Sequence, residues 1–380
     1  MTRPRIALVE LYGHHEVLEA LVRTLSGAFD LELYLSAYVR ARLPAAVLAK
    51  ADHCDVCPPE AALPSYLRRH RERLSGCGLC VLVTLELTRG LAEEFTSLPT
   101  ATALCVHDAR FHFAAEVTPV PTPAAWLRRL KYRLRGTWAE RLQHDRGWSG
   151  YVVRNEAMGE FLGECGIEAP LLTFGDYAPA DVRAPATPPQ PGGPLRLGVP
   201  GGINFATRDY RELEAAIVAE GRACTWVFPG RAKGRRERRW LARLARRAAA
   251  AGRHEVDYRD GAPGYLETLS ACDALVLPLR ERIVFAAQYE RGGVTKVSGA
   301  ENDQRAVGRP AFVRAGYRGT EGLAHAQASY ASTAELLSLI EGFPARPTGV
   351  PEPTDWVALG KRWREFYAEL SAGSGLQEPS

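Results

Sequence analysis

Two doubly wound α/β domains are what this sequence predicts, and three observations predict them. Short apolar runs alternate with helical segments along most of the chain. The alternation stops at the Pro-, Ala- and Gly-rich stretch "APADVRAPATPPQPGGP", Ala178 to Pro194, and then restarts. The length, 380 residues, is more than one hydrophobic core usually carries. Apolar runs too continuous for a one-sided sheet, with helical segments between them, indicate parallel strands covered on both faces.

In the first half, "RIALVEL" reads as a strand and His15 to Leu25 as the helix after it. "LELYLS" is the next strand. Pro64 to Leu74 is helical, and "LCVLVTLE" and "TATALCVHD" are strands. "GYVVRNE" is a strand, "AMGEFLGECGI" a helix and "APLLTFG" a strand. After the linker, "LRLGVPGG" is a strand followed by the helix "RDYRELEAAIVAEG". "CTWVFPG" is followed by the helix "RRERRWLARLARRAAAAG". "HEVDYR", the helix "PGYLETLSA" and the strand "CDALVLPL" come next. A helix within Gly292–Gly308, the strands "RPAFVRA" and "ASYAS", and the helix "TAELLSLIEG" complete the second alternation. "TDWVALGKRWREFYAEL" closes the chain as a helix with Trp356, Leu359, Trp363 and Phe366 on one stripe. The expected division is 1–180 for the first domain, 181–194 for the linker, 195–350 for the second domain, 351–372 for a closing helix and 373–380 for a tail. In such folds ligands bind beyond the carboxyl ends of the strands, here in a cleft between the domains.

Hydrophobic residues make up 46% and charged residues 24%, an ordinary globular balance. No apolar run is long enough to cross a bilayer, and the N-terminus enters a strand without signal-peptide architecture, so a cytoplasmic location is expected. The eight Cys include two C-x-x-C pairs, Cys54/Cys57 and Cys77/Cys80. Their spacing allows a zinc ribbon. The alternative is two neighbouring buried strands whose small apolar positions are Cys. No disulfide is expected in a reducing compartment.

The stretch "GGVTKVSGAENDQRAVGRPAFVRAG", Gly292 to Gly316, is the chemically suggestive one. A Ser-Gly step at a helix start lets an anion approach free backbone N–H groups and the positive end of the helix dipole. Lys296, Ser298 and Gly299 are the residues in question, and the alternative for the Ser-Gly pair is tight helix packing. Gly201 and Gly202 directly follow a strand, where missing side chains permit close backbone approach to a ligand. No P-loop lysine motif and no G-x-G-x-x-G occurs.

These segments together resemble the GT-B glycosyltransferases, in particular the retaining clan around family 4. "LGVPGGINFATRDYRELEAAI" looks like the first strand, Gly-rich loop and basic-headed helix of that clan's donor domain. "CTWVFPGRAKG" looks like its next strand and loop. "HEVDYRDGAPGYLETLSACDALVLPL" and "GVTKVSGAENDQRAVGRPAFV" look like its later strands and donor-binding helix. The likeness is clear over Leu195–Ala315 and looser before it. In the clan's E-x7-E motif, counted back from Gly308, the second Glu falls on Asp303 and the first on Thr295. Asp303 can accept hydrogen bonds from a ribose diol; Thr295 can take no acidic role at the sugar.

The resemblance implies transfer of a sugar from a nucleoside diphosphate donor, UDP or GDP, to a glycan, lipid-linked or small-molecule acceptor. The donor is a substrate and no cofactor is implied. The departing diphosphate is neutralised by side chains and a helix N-terminus without a metal. Arg208 and Lys233 are the candidate cations, with Arg231 as an alternate, beside Gly201, Gly202, Lys296, Ser298, Gly299 and Asp303. Each Arg or Lys can equally be a solvated surface charge. In the N-terminal domain, Gly13-His14-His15 follows the first strand. His14 or His107, the latter followed by Asp108, is the candidate base, with Glu86 as a further cleft residue. Either His can instead cap or pack a strand end.

"AAWLRRLKYRLRGTWAERL" is different in kind. Leu127, Leu130, Leu134 and Trp138 form an apolar stripe among Arg128, Arg129, Lys131, Arg133 and Arg135. Such a helix, over 126–138, lies on an anionic membrane or packs its stripe on the sheet with its cations in water. Nucleotide-sugar epimerisation, a non-catalytic GT-B role and nucleic-acid binding by the two Arg-rich helices are the competing functions. Sparse aromatics among those Arg argue against nucleic acid.

Overall fold

The computed structural model describes residues 3–85, 88–114, 120, 122–135, 146–175, 177, 194–261, 263–285, 288–343 and 349–373. Among them lie two compact units. One takes the described residues of Met1–Gly175, Phe285–Tyr289 and Asp355–Ser380; the other takes those of Asp176–Val284 and Glu290–Thr354. Glu86, Trp138 and the linker stretch Ala178–Gly193 fall outside the described residues.

The first unit is built on a parallel sheet of β1 (Arg5–Glu10), β2 (Asp30–Ser36), β3 (His53–Cys57), β4 (Leu79–Leu82), β5 (Ala101–Cys105), β6 (Gly150–Val153) and β7 (Leu171–Thr173). Their order is β3-β2-β1-β4-β5-β6-β7. The central strands are buried along their length, which is why their sequences run apolar without alternation. The closing helix, Trp356–Gly373, buries Leu359, Trp363, Phe366 and Leu370 in this unit, where Trp363 meets Phe174 at 5.8 Å between ring centres. The expected helix over Pro64–Leu74 is two short ones, Leu63–Arg69 and Arg71–Ser75. His70 leaves helical geometry between them (φ −97°, ψ 6°) and packs its ring on Tyr66 and Tyr34.

The second unit repeats the topology with β8 (Leu195–Gly198), β9 (Cys224–Phe228), β10 (His254–Tyr258), β11 (Ala274–Leu277), β14 (Ala311–Arg314) and β15 (Gln327–Tyr330). The order is β10-β9-β8-β11-β14-β15, with every described pair parallel. Its core gathers Leu197, Trp226, Phe228, Val276, Phe312 and Tyr330 with the helix-borne Leu213, Ile217 and Leu244. A two-stranded ribbon, β12 (Arg282–Phe285) and β13 (Gln288–Arg291), precedes the helix Gly299–Val307. The sequence analysis predicts no strands there, because both mix exposed and buried positions, with Arg282 and Arg291 exposed, and show no continuous apolar run.

The C-x-x-C pairs do not lie on neighbouring strands. Cys54 and Cys57 sit on edge strand β3, Cys80 is on β4 with Cys77 just before it, and β1 and β2 lie between. Among the described residues no group of three or more His, Cys, Asp or Glu could hold a metal ion. No helix of the described residues is long and apolar enough to cross a membrane.

Candidate functional site

In both sheets the strand order reverses next to the first strand, so the loops leaving β1 and β4, and those leaving β8 and β11, diverge to opposite sides. This is where doubly wound sheets open a crevice.

In the second unit the loop after β8 carries Gly201, Gly202 and Arg208. Its path is fixed by backbone pairing on both sides. Ile203 N–H donates to Arg231 O at 3.0 Å and Lys233 N–H to Ile203 O at 3.0 Å, which ties it to the loop after β9. Asp209 N–H donates to Pro278 O at 2.8 Å and Arg280 Nε to Arg208 O at 2.8 Å, which ties it to the segment after β11. These clamps leave room for no side chain at two points. A Cβ on Gly230 would come 2.1 Å from Gly201 O, and one on Gly201, whose φ is +78°, would come 2.1 Å from Arg208 Nη2.

The Arg208 guanidinium therefore lies on the Gly201 backbone. It is only 7% exposed, and its Nε and Nη1 are buried with no hydrogen-bond acceptor. An unsatisfied buried cation is costly, and among the described residues no acceptor meets these two atoms. The neighbouring Asp209 does not fill that role, because its carboxylate is bonded by Arg211 at 2.7 Å and lies 3.6 Å from Arg314.

Tyr265 links this loop to the helix Gly299–Val307. Its hydroxyl accepts the Gly201 N–H and donates to Asp303 Oδ2 at 2.6 Å. Burial, and then the Asp303 carboxylate, hold the Tyr265 phenol well above its usual pKa, so it stays a donor. Gly201, Arg208 and Asp303 are thus brought into one constellation through Tyr265, a residue the sequence reading left in a plain helix.

The helix start is also built rather than incidental. Ser298 is its N-cap and accepts the Ala300 N–H at 3.3 Å. The Ser298 N–H donates to Tyr317 Oη at 2.9 Å, and Tyr317 donates to Glu301 at 2.8 Å. Glu301 is thereby a buried structural acceptor, which also takes the Thr320 N–H at 2.7 Å. Gly299 is exposed and Lys296 half-buried. Thr295 is fully buried, and its hydroxyl accepts the Arg291 N–H at 2.7 Å. Arg231 and Lys233 are exposed on the loop after β9.

The first unit organises the matching loop around a carboxylate of its own. Glu10, at the end of β1 and fully buried, accepts from Tyr12 N–H at 2.6 Å, Gly13 N–H at 3.0 Å and the Thr84 hydroxyl. Burial raises its pKa despite those bonds. The loop it holds presents His14 in a parallel stack on His107, ring centres 4.0 Å apart and planes 7° apart. His107 Nε2 donates to Val83 O at 2.8 Å, which fixes its tautomer with the proton on Nε2. His14 heads the helix His15–Leu25 with Nδ1 3.7 Å from Glu16. Glu10 was read only as part of a strand.

No family model matches the sequence, and no curated protein matches it. Solved structures do. Anabaena Alr3699/HepE, solved in complex with UDP-glucose, is 12% identical, with 98% of this chain and 100% of that chain covered and a TM-score of 0.59. The lipopolysaccharide outer core galactosyltransferase WaaB is 11% identical, with 98% of each chain covered and a TM-score of 0.54. A glycosyltransferase from Rickettsia africae ESF-5 is 9% identical, with 98% of this chain and 97% of that chain covered and a TM-score of 0.55. At these identities the likeness speaks for the fold: the chain has the two doubly wound α/β units of a GT-B-like protein.

Proposed function

We propose that the second unit binds a nucleoside diphosphate sugar and that the chain transfers the sugar to an acceptor hydroxyl. The observation that carries this reading is the Arg208 guanidinium, buried with unpaired Nε and Nη1 against Gly201 at the strand-order reversal. A planar donor fork of that kind suits phosphate oxygens. HepE, of the same fold, is solved with UDP and with UDP-glucose, which makes the uridine nucleotide the first donor to try.

In this reading Gly201 and Gly202 let the diphosphate approach the backbone, and Arg208 neutralises it. The N-cap region Ser298–Gly299, Lys296 and, from the loop after β9, Arg231 or Lys233 add positive potential. Asp303, held by Tyr265, is assigned to the ribose diol. As the anomeric carbon–oxygen bond breaks, the electron pair leaves on the diphosphate, where these donors stabilise it. The acceptor oxygen bonds to the anomeric carbon and its proton passes to a base. His14 or His107 is assigned that role, with Glu10 holding the loop that presents His14.

A thermal-shift panel of UDP, GDP, their glucose conjugates and uridine tests the donor half. A ligand present at 100 times its dissociation constant adds about 2.7 kcal/mol to stability. A shift with a nucleoside diphosphate and none with the nucleoside supports the reading, and silence across the panel removes it.

A further inference from the structure

The basic amphipathic segment forms a helix, Pro123–Leu134, capped by Thr122, whose hydroxyl accepts the Ala125 N–H at 3.2 Å. Its apolar stripe is largely exposed. Trp126 is 62% exposed, Leu127 59%, Leu130 38% and Leu134 79%. The seat of the helix is elsewhere on its circumference: Ala125 is buried against Val120 and Tyr289, and Tyr132 and Arg129 are half-buried. At about 100° per residue, the four exposed apolar residues fill one arc of about 100°, and Ala125, Arg129 and Tyr132 centre on the far side. Outward-facing Trp and Leu in such numbers are a cost in water that a monomer has no reason to carry.

The flanks are equally one-sided. Thr122 to Arg135 contains five cations, Arg128, Arg129, Lys131, Arg133 and Arg135, and no Asp or Glu. Lys131 and Arg133 border the apolar arc on its two sides, and the exposed Arg128 and Arg135 stand behind Lys131. A second copy of the chain docking by this face in a two-fold dimer would set like charges against each other. Nucleic acid would take the cations and leave the Trp and Leu in water. An anionic bilayer surface satisfies both halves, with the apolar arc entering the headgroup–acyl boundary and the cations meeting lipid phosphates.

We propose that Pro123–Arg135 is a peripheral docking helix for anionic lipid bilayers, lying in the interface plane with Trp126, Leu127, Leu130 and Leu134 inserted. It is independent of the donor reading: a chain that binds vesicles and no nucleotide retains it.

The test is flotation of the full chain with vesicles of phosphatidylcholine alone and of phosphatidylcholine mixed with phosphatidylglycerol, at low and high salt. The expected result is binding to the mixed vesicles, weakened by salt. Leu127→Ser with Leu134→Ser should abolish flotation while leaving the melting temperature unchanged, since both side chains are mostly in solvent. Arg128→Gln with Lys131→Gln and Arg133→Gln should weaken binding by about a hundredfold. A difference in quenching by brominated lipid between the wild type and Trp126→Phe should show that Trp126 is inserted. Failure to float with either vesicle, or flotation that the Leu variants leave intact, overturns the proposal. So does a salt-stable dimer in sedimentation that the Leu variants dissociate, which would name a second copy as the occupant.

Discussion

The two sheets share one strand order yet treat the loop after the first strand in opposite ways. In the first unit Glu10 supplies the anion: its carboxylate is fully engaged by Tyr12 N–H, Gly13 N–H and Thr84, and the loop closes on itself. In the second unit the corresponding loop supplies a cation instead. Arg208 is buried without acceptors for Nε and Nη1, and a neutral phenol, Tyr265, holds the backbone. The same topology thus yields one loop whose buried carboxylate is hydrogen-bonded and one whose buried guanidinium keeps two N–H groups without acceptors. The fold places the crevice, whereas a handful of polar side chains decides what each crevice takes.

The comparison breaks most severely at Gly230. Gly230→Ala places a methyl group 2.1 Å from Gly201 O, a backbone atom clamped from both sides, and should destabilise the chain by about 3 kcal/mol in urea unfolding. A change within error would mean that the loops after β8 and β9 are looser than the clamps imply. Tyr265→Phe comes next. It leaves the Gly201 N–H and one Asp303 oxygen without their shared partner, at a cost of about 1–3 kcal/mol. It should also erase any preference of the chain for a ribonucleotide over its 2′-deoxy analogue, which Asp303→Asn should erase as well. Retention of that preference in both variants would take Asp303 away from a ribose.

The Glu10 side of the comparison is sharpened by pH. The folded state holds the Glu10 proton above the ordinary value of 4.5, so it binds more protons than the unfolded state there. That contribution to stability is present below about 4.5 and is lost as pH rises through the folded value. Glu10→Gln lacks it, so the stability of the variant relative to wild type should rise with pH across that window in urea titrations. A constant difference would show that Glu10 ionises normally. The smallest effect is expected at Lys296, which is half-buried and not enclosed. Lys296→Ala should weaken a nucleoside diphosphate about tenfold and leave the nucleoside unchanged, the magnitude of one charge-assisted contact. Equal weakening of both would make it structural.

Much of this was legible in the sequence. The parallel sheets announced themselves because strands buried on both faces must be apolar throughout. Gly201 and Gly202 are visible in the sequence as a Gly pair after a strand, a weak signal by itself, and the φ of +78° at Gly201 with Arg208 against it is a matter of packing. Ser298 was legible as the start of a helix from its local sequence. What stayed hidden depends on contacts distant in sequence. Tyr265 lies 64 residues from Gly201 and 38 from Asp303, and in its own segment it reads as a core aromatic of an amphipathic helix. Glu10 lies 74 residues from Thr84, and a lone polar residue at the end of an apolar strand run gives no sign of what it bonds. The burial of Arg208 was invisible because exposure is a property of packing, and "RDYRELEAAI" presents it as a first-turn surface cation. The direction of the Trp126–Leu134 stripe was likewise undecided, since periodicity gives the width of an apolar face and not what it faces.

Everything proposed for the second unit turns on Arg208, whose buried Nε and Nη1 are assigned to phosphate oxygens. Calorimetric titration of UDP and of uridine into the wild type and into Arg208→Ala, with the melting temperature of each unliganded protein, tests it most directly. The variant should lose about a hundredfold in UDP affinity, with uridine unchanged, the worth of about two charge-assisted hydrogen bonds. The unliganded variant should melt no lower than wild type, because an unsatisfied buried charge has been removed. Unchanged UDP affinity, or a variant that loses stability and leaves binding intact, would contradict that assignment and make Arg208 a packing residue.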